Sequence, residues 1–136
     1  MTNSVIISQL KVHEGLRLKP YLCTSKRQTI GYGRNLTDKG ITEEEALYLL
    51  KNDINECVED LQQIFSNFFQ LPEIVQRVLI DMRFMGHASF MSFTNMIEAI
   101  KKEDFLKASI EMQDSLWYTQ VKSRGITLVS MMKKGA

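Results

Sequence analysis

Three side chains able to take part in bond-breaking chemistry lie close together near the start of this 136-residue sequence: Glu14, then eight residues, Cys23, then five, Thr29. Glu14 ends an apolar stretch and is followed by Gly15, a residue type that commonly stops helices. The last carbonyls of a helix concentrate negative potential, which disfavours a charged carboxylate and favours its proton. A carboxyl group that keeps its proton is what a general acid needs in glycoside cleavage. Without its neighbours, Glu14 reads better as a surface glutamate beside a turn. Cys23 is followed closely by Lys26 and Arg27, whose charge favours a thiolate, although by itself the residue fits better as a buried structural cysteine. Thr29 opens Thr29-Ile30-Gly31-Tyr32-Gly33, where a threonine can simply reflect strand propensity. Gly31-x-Gly33 lacks the third glycine and the adjoining helix of a dinucleotide fingerprint.

These residues need elements to hold them. Ile6, Ile7, Leu10 and Val12 fall roughly on one side of a helix over 3–13, which Asn3 or Ser4 can cap. From Arg17 to Arg34, β-formers alternate with Pro20, Ser25, Gly31 and Gly33, predicting a small antiparallel sheet or hairpin. Thr42-Glu43-Glu44-Glu45 matches a capping box. The apolar residues behind it, from Ala46 to Phe65, keep helical spacing and predict one long amphipathic helix. Pro72 is placed to open the next helix, which Gly86-His87-Ala88-Ser89 breaks. Further helices are expected over about 93–101, 104–113 and 116–134. The fold class is therefore α+β and predominantly helical.

Apolar residues make up 44% of the chain, enough for a core without covalent staples. Two cysteines, Cys23 and Cys57, are expected as free thiols, and no Cys/His cluster has metal-ligand spacing. No apolar run approaches the roughly 18–20 residues of a membrane span, so no stable membrane insertion is expected. The segment from Met1 to Ser8 has no basic stretch and lacks the pattern of a secretory leader. Net charge is +1, but its distribution is uneven. Residues 1–41 hold seven Lys/Arg against Glu14 and Asp38, residues 115–136 hold four bases and no acid, and residues 42–72 set Lys51 against seven acids. Basic ends around an acidic middle suit an anionic polymer, or a solvated mixed surface. Nothing points to nucleic acid.

The spacing of Glu14, Cys23 and Thr29 resembles the catalytic pattern of the T-even-phage lysozyme family of glycoside hydrolases, whose central position is Asp or, in some members, Cys. His13-Glu14-Gly15-Leu16-Arg17 looks like the family's acid-bearing segment, and Thr29-Ile30-Gly31-Tyr32-Gly33 like its second motif. Gly40-Ile41-Thr42-Glu43-Glu44-Glu45-Ala46 is similar to the start of its long helix. Met82-Arg83-Phe84-Met85-Gly86, Ser92-Phe93-Thr94-Asn95, and Trp117-Tyr118 with Arg124 resemble its helical-lobe motifs. Arg34 stands where the family usually has His, and Thr127 where a second Arg often follows.

This resemblance implies one lysozyme-like domain over 1–136. It comprises a β-containing lobe (about 15–41), a linking helix (about 42–65), and a helical lobe (about 71–136) with helix 3–13, around a cleft between the lobes. It implies a muramidase cutting β-1,4 bonds between N-acetylmuramic acid and N-acetylglucosamine in peptidoglycan, an endolysin that lyses bacteria. Glu14 would be the general acid, with Cys23 and Thr29 positioning or activating water. Tyr32, Phe84 and Arg124 would bind substrate, with Arg124 also orienting Glu14. Tyr32 and Phe84 serve equally as packing residues, and Trp117 reads as core. The expected partners are peptidoglycan glycan strands, the expected state a monomer without cofactor or metal. The expected location is the cytoplasm before release, or the host cytosol if phage or prophage encoded. Two alternatives remain: a non-catalytic peptidoglycan-binding protein of this fold, and a thiol-dependent amidase or peptidase built on Cys23 with His13 or His87.

Overall fold

Local chemistry accounts for where several elements start and stop in the computed structural model, which describes residues 3–136. The first helix, α1 (Asn3–Glu14), contains both Asn3 and Ser4 as helical residues, so neither stands at its end as the cap that was expected. It ends as expected. The Gly15 amide donates to the Lys11 carbonyl at 3.0 Å, and Gly15 takes φ +71, a conformation open to a residue without Cβ.

Strands β1 (Arg17–Leu22), β2 (Gln28–Gly31) and β3 (Arg34–Asn35) form one antiparallel sheet in that order. Tyr21 pairs with Thr29, and Thr29 with Asn35, so Thr29 lies on the middle strand. The β1–β2 register slips between Arg17 and Tyr21, across Pro20, which has no amide to give to a ladder. After the sheet comes a one-turn helix, α2 (Leu36–Lys39), capped by the Asn35 side chain, which accepts from the Asp38 amide at 3.0 Å.

The long helix, α3 (Glu43–Ile64), opens on the expected capping box. The Glu45 amide donates to Thr42 Oγ1 at 3.1 Å, and the Thr42 amide donates back to Glu45 Oε1 at 2.9 Å. The chain divides into two compact units, Met1–Tyr48 and Leu49–Ala136. The first holds α1, the sheet, α2 and the start of α3.

The second unit carries the rest of α3, a 3-10 turn at Phe68–Gln70, and helices α4 (Glu73–Arg83), α5 (His87–Met91), α6 (Thr94–Lys101), α7 (Phe105–Gln113), α8 (Leu116–Val121) and α9 (Ser123–Lys134). Two expectations need correcting. His87 opens α5 directly after Gly86, whose φ of +123 makes the break. The single helix expected over 116–134 is two helices, because Lys122 turns the chain with φ +51. At Gly125 a Cβ would fall 3.0 Å from the Tyr118 ring and 3.0 Å from a Val121 methyl, so α9 packs closely on α8 only because that side chain is missing.

Leu61, Phe65, Val78, Phe90, Met96 and Met132 are among the buried residues of the second unit's core. Phe65 meets Phe90 edge to face at 6.4 Å, and Trp117, buried as expected, meets Phe93 at 5.6 Å. The molecule is thus predominantly helical α+β with one small sheet. No helix among the described residues is long and apolar enough to cross a membrane.

Candidate active site

Glu14 is the last residue of α1, and the turn at Gly15 sends the chain straight into β1. Its carboxyl group lies across the β2–β3 turn: a Cβ built on Gly33 would fall 2.6 Å from Glu14 Oε2 and 3.0 Å from its Cδ. The acid-bearing segment and the Thr29–Gly33 motif, separate in sequence, therefore meet at this turn. Tyr32, between the two glycines, is half-exposed, and the Lys11 ammonium stands 5.6 Å from its ring centre.

Cys23 begins the β1–β2 connection. Its amide donates to the Arg27 carbonyl at 3.0 Å, and the Lys26 amide donates to the Cys23 carbonyl at 2.8 Å, closing a tight loop in which Lys26 has φ +62. The thiol is half-buried, 3.0 Å from the Ser25 hydroxyl. Hydrogen bonding from Ser25 and from the Arg27 backbone outweighs partial burial, with a smaller contribution from the Thr29 hydroxyl. Together they bring the Cys23 pKa from 9.0 down to about 7. The side-chain charges of Lys26 and Arg27, which suggested a thiolate in the sequence, are not among the causes; backbone and hydroxyl groups, the Arg27 backbone included, do the work. Thr29 itself is buried and donates to the Arg27 carbonyl at 3.0 Å. Cys23 and Thr29 are thus joined through one loop. Cys57, the other free thiol, is buried in α3, and burial pushes its pKa up.

Sequence reasoning singled out Arg34 only as an unusual residue. Its guanidinium clamps the sheet to the start of α3, donating to Glu45 Oε1 at 2.7 Å, to Glu45 Oε2 at 2.6 Å and to the Gly40 carbonyl at 3.1 Å. The Arg34 hydrogen bonds, then the Thr42 amide, hold Glu45 at about 2 against an ordinary 4.5.

In the second unit, Phe84 and Arg124 line one groove of about 370 Å³ with Leu50, Ile54, Arg77, Ile80 and Asp81. Phe84 caps the C-terminal end of α4 and is 46% exposed. Arg124 was expected to face Glu14; its partner in the structure is Asp81, which accepts from Arg124 Nε at 2.8 Å and from the same guanidinium's second nitrogen. A separate cluster joins Asp60, Arg83 and His87. His87 Nδ1 lies 2.7 Å from Asp60 Oδ2, and Arg83 Nε donates to the same oxygen. Burial would raise Asp60, but the bonds from His87 and Arg83 prevail and hold it below the ordinary carboxylate value.

The family model for phage lysozyme matches residues 11–132, nearly the whole chain. The chain belongs to the phage lysozyme family. Among its relatives is the pre-baseplate central spike protein Gp5 of Enterobacteria phage T4, 29% identical over an alignment covering 98% of this chain and 28% of that protein. Another is probable T4-type lysozyme 2 of Dictyostelium discoideum, 23% identical, covering 97% of this chain and 95% of the relative. The chain thus spans little more than a quarter of the phage relative. Ser25, Gly33 and the Asp81 partner of Arg124 are the site features that sequence reasoning missed. Only Gly33 left a signal, as the last residue of the second motif.

Proposed function

We propose that this member of the phage lysozyme family is a muramidase that hydrolyses the β-1,4 bond between N-acetylmuramic acid and N-acetylglucosamine in peptidoglycan. The observation that carries the proposal is the Glu14 carboxyl lying against the Gly33 turn, on the sheet that also holds Thr29 and, one loop away, the Cys23 thiol. Glu14 protonates the glycosidic oxygen as the bond to the anomeric carbon breaks. Cys23 as thiolate takes the proton of a water held with Thr29, and that water attacks the opposite face, giving inversion. The second route is direct attack by Cys23 on the anomeric carbon, with water releasing the glycosyl thioether and retention overall. Tyr32, Phe84 and Arg124 supply substrate contacts. A single lysozyme domain acting as an endolysin on glycan strands, released from a cytoplasmic pool to lyse the cell, completes the reading.

The test is digestion of purified peptidoglycan, scoring new reducing ends against new amines. New reducing ends that vanish in Glu14→Gln support the muramidase. Absence of any product points to the binding protein, and new amines abolished by Cys23→Ser point to the thiol enzyme. Cys23→Asp is expected to keep activity and Cys23→Ala to lose most of it; full activity in the alanine variant removes Cys23 from the mechanism.

A further inference from the structure

Two glycines flank Tyr32 in the β2–β3 turn, and both have left-handed backbones, Gly31 at φ +70 and Gly33 at φ +78. Backbone strain would therefore penalise an ordinary side chain at either position to a similar degree. Their surroundings differ. A Cβ on Gly31 meets nothing within 4 Å, whereas one on Gly33 meets three consecutive atoms of the Glu14 side chain: Oε2 at 2.6 Å, Cδ at 3.0 Å and Cγ at 3.3 Å. Glu14 thus lies flat over bare backbone at Gly33, in space that any side chain there would fill.

We infer that Gly33 is a positioning residue for Glu14: its missing side chain is the floor on which the acid's carboxyl group rests. The inference depends on Glu14 being the general acid and adds what sets its place. Turn geometry alone asks for glycine at both positions; the carboxyl adds a second demand at Gly33 only. The atoms that would be struck form the free end of a flexible side chain, so the fold can absorb an added methyl by letting Glu14 swing away. Its cost then falls on proton transfer, because a displacement of about 1 Å at a reacting group can cost on the order of 100-fold in rate.

The experiment compares Gly31→Ala with Gly33→Ala, alongside wild type and Glu14→Gln, by thermal unfolding, peptidoglycan kinetics and the carbon-13 resonance of the Glu14 carboxyl. That resonance is assigned by its loss in Glu14→Gln. The two glycine variants should unfold at similar temperatures. Gly33→Ala should have a kcat about 100-fold below that of Gly31→Ala with little change in KM, and only Gly33→Ala should move the Glu14 resonance. Three results would each overturn the inference: a resonance that stays in place in Gly33→Ala; a kcat matching that of Gly31→Ala while Glu14→Gln is inactive; or a Gly33→Ala protein that unfolds while Gly31→Ala stays folded. If strain unfolds both, Asn at each position, which tolerates left-handed φ, repeats the comparison. A wild type that releases no reducing ends, or an active Glu14→Gln, sinks the muramidase reading instead, and the resonance still decides the role of Gly33.

Discussion

At the scale of single residues, the unusual chemistry sits at Cys23. A thiol with a pKa near 7 is about half thiolate at neutral pH, and the Ser25 hydroxyl is the largest cause. Alkylation of Cys23 by iodoacetamide should rise with pH through a midpoint near 7, because only the thiolate reacts. In Ser25→Ala the midpoint should move up toward the ordinary 9.0. Cys57, buried and shifted the other way, should stay unlabelled in the folded protein. A Cys23 midpoint at the ordinary thiol value would show that the loop does not activate it. Glu14, Cys23 and Thr29 stood out as candidates because their spacing is visible in the bare sequence. Ser25 did not, since a serine in a turn carries no mark of which way its hydroxyl points.

At the scale of elements, the start of α3 is held from both sides. The capping box is a local device, readable from Thr42 and Glu45 three residues apart. The Arg34 clamp is not local, because Glu45 lies eleven positions further along the chain. With Glu45 at about 2 in the folded protein and an ordinary 4.5, the clamp's contribution is full above about pH 4.5 and is lost as pH falls toward 2. Arg34→Met should therefore lower the melting temperature at pH 7 by a few degrees, and the gap to wild type should close between pH 4.5 and 2. A gap that is constant with pH would assign the loss to packing, not to the carboxylate. The split between α8 and α9 shows the same limit: helical spacing carried the expected helix across Lys122, but the backbone there takes φ +51 and Gly125 then packs where a Cβ would fall 3.0 Å from the Tyr118 ring.

At the scale of the whole molecule, burial is concentrated in the second unit, so substitutions there should govern unfolding. Phe65 is 1% exposed and packs edge to face on Phe90, whereas Phe69 is 60% exposed. Phe65→Ala should cost about 3–5 kcal/mol in urea unfolding, and Phe69→Ala about 1 kcal/mol. Similar costs for both would contradict the placement of the core. The many methionines in this core, such as Met82, Met96, Met112 and Met132, are flexible fillers, so Met96→Leu should be tolerated far better than loss of an aromatic ring.

What the sequence determined by itself was everything set by interactions within a few residues: the end of α1 at Gly15, the turn glycines, the capping box, the helical period of the core and the spacing of the candidate triad. Propensity, capping and periodicity act over one or two turns of chain, so their record is local. The tertiary structure alone decided which groups face each other. It laid Glu14 across Gly33, bound Arg34 to Glu45, gave Arg124 to Asp81, and tied Asp60 to both Arg83 and His87. Hydrogen bonds and steric exclusions act over about 3 Å. Residues far apart in the chain reach that range only after the elements between them have folded.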